Sequence, residues 1–124
     1  MQLPQGANPI YATSGNQANA VAAAALVADP NRYNYLTRFD ISGSGATAAS
    51  VTTVTVSGLA GGVTLTYKIT TLAGATSALE PKPFVFDPPL KSNAKNTAIT
   101  VSMAAIGAGN LYAIVNVYGY AHSE

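Results

Sequence analysis

The stretch VTLTYKIT, residues 63–70, alternates one apolar or aromatic side chain with one polar side chain along its whole length. A period of two is typical of a β-strand that buries one face. The segment SVTTVTVS, residues 50–57, alternates in the same way and brings Val54 and Val56 to one face. Because the five residues GLAGG separate the two segments, we predict an antiparallel hairpin. The buried face of its second strand consists of Val63, Leu65, Tyr67 and Ile69.

The same alternation continues on both sides of this hairpin. In YNYLTRFDIS, residues 33–42, it predicts a strand with two distinct faces. One face consists of Tyr35, Thr37, Phe39 and Ile41, and the other of Leu36, Arg38 and Asp40. Further along the chain, residues 99–103 predict a strand that buries Ile99, Val101 and Met103.

Residues 111–120 form the last predicted strand, and a Gly-rich turn at residues 107–110 predicts a hairpin with strand 99–103. One face of the last strand carries Leu111, Ala113, Val115 and Val117. The other face carries Tyr112, Ile114, Asn116, Tyr118 and Tyr120. Both faces are largely apolar or aromatic, so we expect this strand either between two layers or at a subunit contact.

Three segments are less regular. Residues 20–28 are mostly Ala, which favours a helix locally, whereas the neighbouring strand pattern favours a strand. Residues 73–83 are predicted to be a loop. A short strand at residues 84–86 is expected to end at Pro88 and Pro89, because proline cannot donate to a sheet ladder.

About seven or eight short strands, separated by turn signals, predict an all-β fold. We expect one antiparallel β-sandwich of the jelly-roll type over residues 20–124. The first 19 residues lack periodicity and are rich in Gln, Asn, Pro and Gly, which is typical of an extended arm. The arm is either an unstructured terminus or a segment that becomes ordered on a neighbouring subunit, with Ile10 and Tyr11 as its apolar anchors.

Charged residues are scarce. Only 9 % of the residues are charged and the net charge is +1, whereas about 25 % are charged in an ordinary soluble domain. A nearly neutral surface promotes association, so we expect copies of the chain or a larger assembly to cover much of it. The six basic residues are scattered, which argues against nucleic acid as a partner.

Residues 20–28 are too short for a membrane helix and lack the flanks of a signal peptide, so we expect a soluble chain with no secretion signal.

The residues that could perform catalysis are few and dispersed. The chain has no cysteine and one histidine, His122, close to its C-terminus. The five carboxylates are separated along the chain: Asp29, Asp40, Glu80, Asp87 and Glu124. None of them forms a triad or a zinc-ligand pattern with His122. We therefore expect no enzymatic activity, no cofactor and no metal.

The tyrosines of the last strand are the remaining candidates for binding. Tyr112, Tyr118 and Tyr120 share one face, and such a row of rings can stack on sugars or bases. Tyrosine is also common in protein interfaces, because one end of its side chain is apolar and the other polar. We favour an interface, since the row has no accompanying basic or acidic residues.

Three segments resemble small structural proteins of tailed bacteriophages: YLTRFDISGSGATAASVTTVTVSGLAGGVTLTYKI (35–69), PFVFDPPLKSNAKNTAITV (83–101) and GAGNLYAIVNVYGY (107–120). The resemblance lies in the order of the segments and in their residue patterns, and it implies no catalytic residues. It implies a virion component, in the role of a head decoration (cement) protein. Such a protein is made in the host cytoplasm, forms a β-sandwich trimer and binds the major capsid protein on the outer capsid surface, where it stabilises contacts between capsomers.

Two alternatives remain open at this point. The chain could belong to another β-sandwich component of the virion, in the tail, the neck or the base of a fibre. It could also be a carbohydrate-binding module that uses the tyrosines of the last strand. For the decoration protein, we expect subunits to meet on residues 111–120 and the N-terminal arm to contact the shell.

Overall fold

Eight β-strands and one short 3-10 helix account for the regular structure in the computed structural model, which describes residues 3–74 and 77–124. The strands are β1 (Asn8–Thr13), β2 (Ala22–Leu26), β3 (Tyr33–Ser44), β4 (Ser50–Ser57), β5 (Leu65–Thr71), β6 (Ala78–Lys91), β7 (Ile99–Met103) and β8 (Ala113–His122). The 3-10 helix, Ala60–Gly62, lies between β4 and β5. Within the described residues, no helix has the length and apolarity needed to cross a bilayer.

The strands form two four-stranded sheets in which every neighbouring pair is antiparallel. Sheet A has the strand order β1-β8-β3-β6, and sheet B has the order β2-β7-β4-β5. The inner faces of the two sheets bury one hydrophobic core between them. The all-β class and the sandwich-like arrangement are therefore confirmed.

The core comes from alternate positions along the strands. The side chains of Val54 and Val56 in β4 are fully buried, as are those of all three apolar residues predicted for β7. Burial of each such side chain contributes about 1.5–3 kcal/mol. Val63 and Leu111 were expected on buried faces, but both precede their strands and are at least half exposed. The reason is that pairing with β4 begins only at Leu65, which lies opposite Val56.

A β-bulge changes the faces predicted for β3. Leu36 lies opposite Gly119 of β8, but the next paired residue is Arg38, opposite Tyr118, so Thr37 is an extra residue. The extra residue reverses the alternation. As a result, Tyr35 and Arg38 point to the same outer face, whereas Leu36, Phe39 and Ile41 are buried.

Strand β6 is much longer than the predicted strand at residues 84–86, since it extends from Ala78 to Lys91 through four prolines. It is an edge strand that pairs only with β3, and there the missing N–H of a proline can face away from the ladder. The register is interrupted at Thr37, because Leu36 pairs with Leu90 and Arg38 with Val85. The Asp87–Pro88 peptide bond within this interruption is cis.

The predicted hairpin between the last two strands is wrong. Strand β7 belongs to sheet B and β8 to sheet A, so residues 104–112 cross from one sheet to the other. The buried Asn110 side chain fixes this crossing: its Nδ2 donates to the carbonyl oxygens of Ser44 (2.6 Å) and Tyr112 (2.9 Å), and its Oδ1 accepts from the Asn19 N–H (2.8 Å). A Gly-rich turn predicts a change of direction but not the sheet that the chain joins next.

A second buried asparagine lies at the other end of β3. The Asn34 Nδ2 group donates to the carbonyl oxygens of Leu26 (3.0 Å), Val27 (2.9 Å) and Thr97 (3.1 Å). These bonds join the end of β2 to the segment before β7. Two buried asparagines thus hold the loops at opposite ends of the sandwich, because buried carbonyl groups need a donor.

Two N-terminal segments also form strands. Residues 22–26 form β2, so the context of strands prevails over the helical propensity of alanine. Residues 8–13, within the predicted arm, form β1 along the edge of β8. Ile10 of β1 packs against the core of its own sandwich. This part of the arm becomes a strand because β8 presents an unpaired edge to it; residues 1 and 2 lie outside the described residues.

Candidate interaction surface

Five of the seven tyrosines lie on the outer surface of sheet A, which we call the tyrosine face. It consists of Tyr11 from β1, Tyr33 and Tyr35 from β3, and Tyr118 and Tyr120 from β8. Strand β8 lies between β1 and β3, so Tyr118 is opposite Tyr11 and Tyr120 is opposite Tyr35. The face is therefore built by cross-strand pairs of aromatic side chains, which stabilise a sheet.

One half of the tyrosine face is organised around Asp40. Its carboxylate accepts hydrogen bonds from the Tyr118 hydroxyl (3.0 Å) and the Asn116 Nδ2 group (3.0 Å). An Arg38 guanidinium nitrogen forms an ion pair with the same carboxylate at 3.2 Å. The Arg38 guanidinium also lies 5.2 Å from the centre of the Tyr118 ring, in a cation–π contact. Tyr11 packs edge-on against Tyr118, with 6.0 Å between ring centres.

The other half is organised by stacking. The rings of Tyr35 and Tyr120 lie almost parallel with 4.8 Å between their centres. The Tyr35 hydroxyl donates to the carbonyl oxygen of Glu124. The Lys91 ammonium lies 4.0 Å from the centre of the Tyr33 ring. One face of each of four rings, Tyr33, Tyr35, Tyr118 and Tyr120, is therefore in contact with another group of the same chain, whereas Tyr11 stays largely exposed.

Two of these tyrosines hold their protons more tightly than usual. Burial raises the pKa of Tyr118, and the hydrogen bond to Asp40 and the negative charge of Asp40 raise it further, against a smaller opposite effect of Arg38. Burial also raises the pKa of Tyr120, with a smaller contribution from Tyr35. Both hydroxyls stay protonated well above neutral pH and remain hydrogen-bond donors.

The structure brings together only some of the residues predicted to bind a partner. Tyr11, Tyr118 and Tyr120 share the tyrosine face, but Tyr11 has 71 % of its surface exposed whereas Tyr120 has only 6 % and is buried by its neighbours. Ile10 points the other way, toward the core. Tyr112 lies outside β8, where its carbonyl oxygen accepts from the N–H of Ser44.

Several residues of the face escaped prediction. Tyr33 and Tyr35 lie on β3, and Lys91 lies on β6. The sequence does not show that β3 pairs with both β8 and β6. Arg38 and Asp40 were assigned to the face opposite Tyr35, because strict alternation ignores the bulge at Thr37. The expectation that the tyrosine row has no basic or acidic neighbours is therefore wrong, since both residues contact Tyr118. No local feature of the YLTRFD segment signals that bulge.

The charged groups of the face are already paired within the chain. Asp40, its most buried charged group, is already held by three partners, so its role here is to position side chains. Within residues 3–74 and 77–124, no three His, Asp or Glu side chains are close enough to hold a metal ion together. Tyrosine is enriched in protein–protein interfaces, so this face is the candidate interaction surface.

Comparison of the chain with models of protein families, with curated proteins and with solved structures found no match.

Proposed function

We propose that this protein is a structural component of a tailed-bacteriophage virion, namely a head decoration (cement) protein that binds the outer capsid surface and stabilises contacts between capsomers. The observation that carries the proposal is the tyrosine face: five tyrosines on one side of a sandwich whose sequence has little charge. A protein that acts by covering another surface needs such a face. The resemblance of residues 35–69, 83–101 and 107–120 to phage structural proteins supplies the biological setting.

The strand order supports a jelly roll as the finer fold assignment. Strand β1 pairs with β8, β2 with β7, β3 with β6 and β4 with β5, as in one long hairpin rolled into two sheets. Double-sheet jelly rolls of eight strands occur in viral capsid proteins and in lectins. Because one fold serves many functions, the strand order agrees with the proposal but does not distinguish a capsid protein from a lectin.

In the proposed complex, the tyrosine face meets the major capsid protein, so Tyr118 lies at the shell and not at the subunit contact that the sequence led us to expect on residues 111–120. Tyr11 is the most exposed tyrosine of this face, at 71 %, so it loses the most water-accessible surface on binding. Tyr11 also comes from the N-terminal segment that we expected to contact the shell. Self-association is a second part of the proposal, and the resemblance implies a trimer.

The test is binding to undecorated heads of the phage whose genome carries the gene. Saturable binding that raises the thermal stability of the heads is expected. Tyr11→Ala should weaken binding at least tenfold, whereas the matched control Thr100→Ala, on the outer face of sheet B, should bind as the wild type does. Absence of binding over a range of salt and pH would overturn the proposal.

A location in the tail, the neck or a fibre base is the alternative within the virion, and the position of the protein's density in an intact particle distinguishes it from the head. Carbohydrate binding is the alternative outside the virion. It is the weaker one, because the rings of Tyr35 and Tyr120 stack on each other and leave little flat surface for a sugar. A glycan array with hits that Tyr11→Ala abolishes would favour it.

A further inference from the structure

The four edge strands of the sandwich are protected to different degrees. Strand β6 carries four prolines and an interrupted register, and β1 carries Pro9. Strand β2 has five residues and contacts β1 across its side of the sandwich. Strand β5 has seven residues, LTYKITT, with no proline, no glycine and no break in its pairing with β4. Natural proteins block open sheet edges because the unpaired N–H and C=O groups of such edges can pair with other strands. The regular edge of β5 is therefore the one best suited to pair with a strand of another chain.

The side of the sandwich next to this edge is also incompletely covered. Among the residues that pack against the core while staying partly exposed, six lie on β5 or β6: Leu65, Tyr67, Leu79, Phe84, Phe86 and Leu90. Tyr67 and Phe84 contact each other there, with 4.9 Å between ring centres. A cleft of ≈ 380 Å³ opens between the end of β5 and the first half of β6. Val63 and Leu72, which flank β5, are 50 % and 68 % exposed.

We infer that a second copy of this chain covers this side, through antiparallel pairing of β5 with the β5 of the other copy about a two-fold axis at Tyr67. Directly opposed residues in such a pair share a face of the sheet. With the axis at Tyr67, Leu65 lies opposite Ile69 of the other copy, so apolar side chains meet apolar side chains. Val63 lies opposite Thr71, next to the exposed Leu72.

The charge of Lys68 favours the register with the axis at Tyr67 over the register with the axis at Lys68, although the latter would pair the greatest number of residues. An axis at Lys68, the middle of the strand, would bring two lysines face to face, which destabilises a pair. With the axis at Tyr67, Lys68 lies opposite Thr66 of the other copy. Lys68 is the only charged residue of β5, and its ammonium donates to the Thr53 hydroxyl at 2.8 Å. Both copies then extend sheet B into one continuous sheet of eight strands.

This inference does not rest on the phage assignment, and it differs from the trimer that the resemblance implies. A two-fold contact is isologous and gives even numbers of copies. It leaves the tyrosine face of both copies free, because that face belongs to the outer side of sheet A.

The experiment is sedimentation velocity on the purified protein over a range of concentrations, with two variants at exposed positions of β5. Thr66→Arg brings an arginine opposite Lys68 twice in each dimer, and it should weaken dimerisation about tenfold. The double variant Thr66→Arg/Lys68→Glu replaces repulsion by attraction and should restore the dimer. Circular dichroism establishes that each variant is folded.

Cross-linking tests the register independently, because the chain has no cysteine. Under oxidation, a mixture of Thr66→Cys and Lys68→Cys chains should give more disulfide-linked dimer than either variant alone. Ala23→Cys, on the exposed side of β2, is the control and should give only background. A monomer or trimer at all concentrations, or equal cross-linking in all mixtures, would overturn the inference. Neither assay uses phage heads, so a negative result leaves the proposed shell binding standing.

Discussion

The hydroxyl of Tyr118 on β8 donates to the carboxylate of Asp40 on β3 over 3.0 Å, and this bond links the two central strands of the tyrosine face. The same carboxylate also accepts a hydrogen bond from the Asn116 side-chain amide and forms an ion pair with Arg38. Hydrogen bonds to an ionised group contribute about 1.5–3 kcal/mol each when they are shielded. Asp40 is therefore the group that positions Tyr118 and Arg38 on the tyrosine face.

Asp40→Ala should lower the free energy of unfolding by about 1–3 kcal/mol, because the three donors around it lose their acceptor. Urea denaturation at neutral pH measures the change. Asp87→Ala is the matched control: Asp87 is exposed on β6, and its removal should change stability by no more than about 0.5 kcal/mol. Equal stability of the Asp40 variant and the wild type would show that the network contributes nothing.

Stability should fall in alkaline solution, and Tyr118 should account for part of the fall. Folding raises the pKa of Tyr118 above its ordinary value of about 10. The protonated hydroxyl therefore favours the folded state fully below pH 10, and this contribution is lost as the pH rises through the folded-state pKa. Tyr118→Phe, which cannot ionise, should show a shallower loss of stability above pH 10 in urea denaturation. An unchanged pH profile would contradict the role of this hydroxyl.

Asn110→Ala should destabilise the protein by about 1–3 kcal/mol, because it removes the buried hydrogen bond to the Ser44 carbonyl oxygen and two partly buried bonds, to the Asn19 N–H and the Tyr112 carbonyl oxygen. Thermal and urea unfolding measure the loss. The control is Asn93→Ala, which removes one exposed hydrogen bond to the Gly61 N–H and should cost about 0.5 kcal/mol or less. Similar losses in both variants would argue against a special role of the buried amide.

Gly119→Ala should destabilise the sandwich by more than about 3 kcal/mol. A Cβ at residue 119 would overlap the Tyr35 carbonyl oxygen and lie 2.7 Å from Leu26 Cδ1, so strands β3 and β8 would have to separate. Gly15→Ala meets no atom within 4 Å, and only its positive φ of 64° opposes the substitution, at a cost of about 1 kcal/mol. The urea midpoint of Gly119→Ala should therefore be lower than that of Gly15→Ala. A Gly119→Ala variant as stable as the wild type would contradict the close contact between β3 and β8.

Most strands could be predicted because alternation is a local property that a pleated backbone imposes on any chain with one buried face. Strand β4 has the predicted bounds and β7 buries the predicted alternate residues. In β5, Ile69 is buried and Leu65 and Tyr67 are partly buried, whereas Val63 lies outside the strand. The tyrosines of β8 were placed on one face for the same reason. The scarcity of charge predicts an associating surface, and the two apolar faces of the last strand predict it on residues 111–120; both stay predictions.

The remaining features depend on neighbours that are distant in the sequence. A bulge at Thr37 is set by pairing with β8, and it moves Arg38 and Asp40 onto the face of Tyr35. The prolines of β6 are tolerated because that strand lies at a sheet edge, and residues 8–13 become a strand because β8 offers them an edge. Local alternation along the chain therefore accounts for most of the strands. The packing of the two sheets decides which strands are neighbours and makes edge strands of residues 8–13 and 78–91. Pairing is a contact between remote segments, and local periodicity does not encode it.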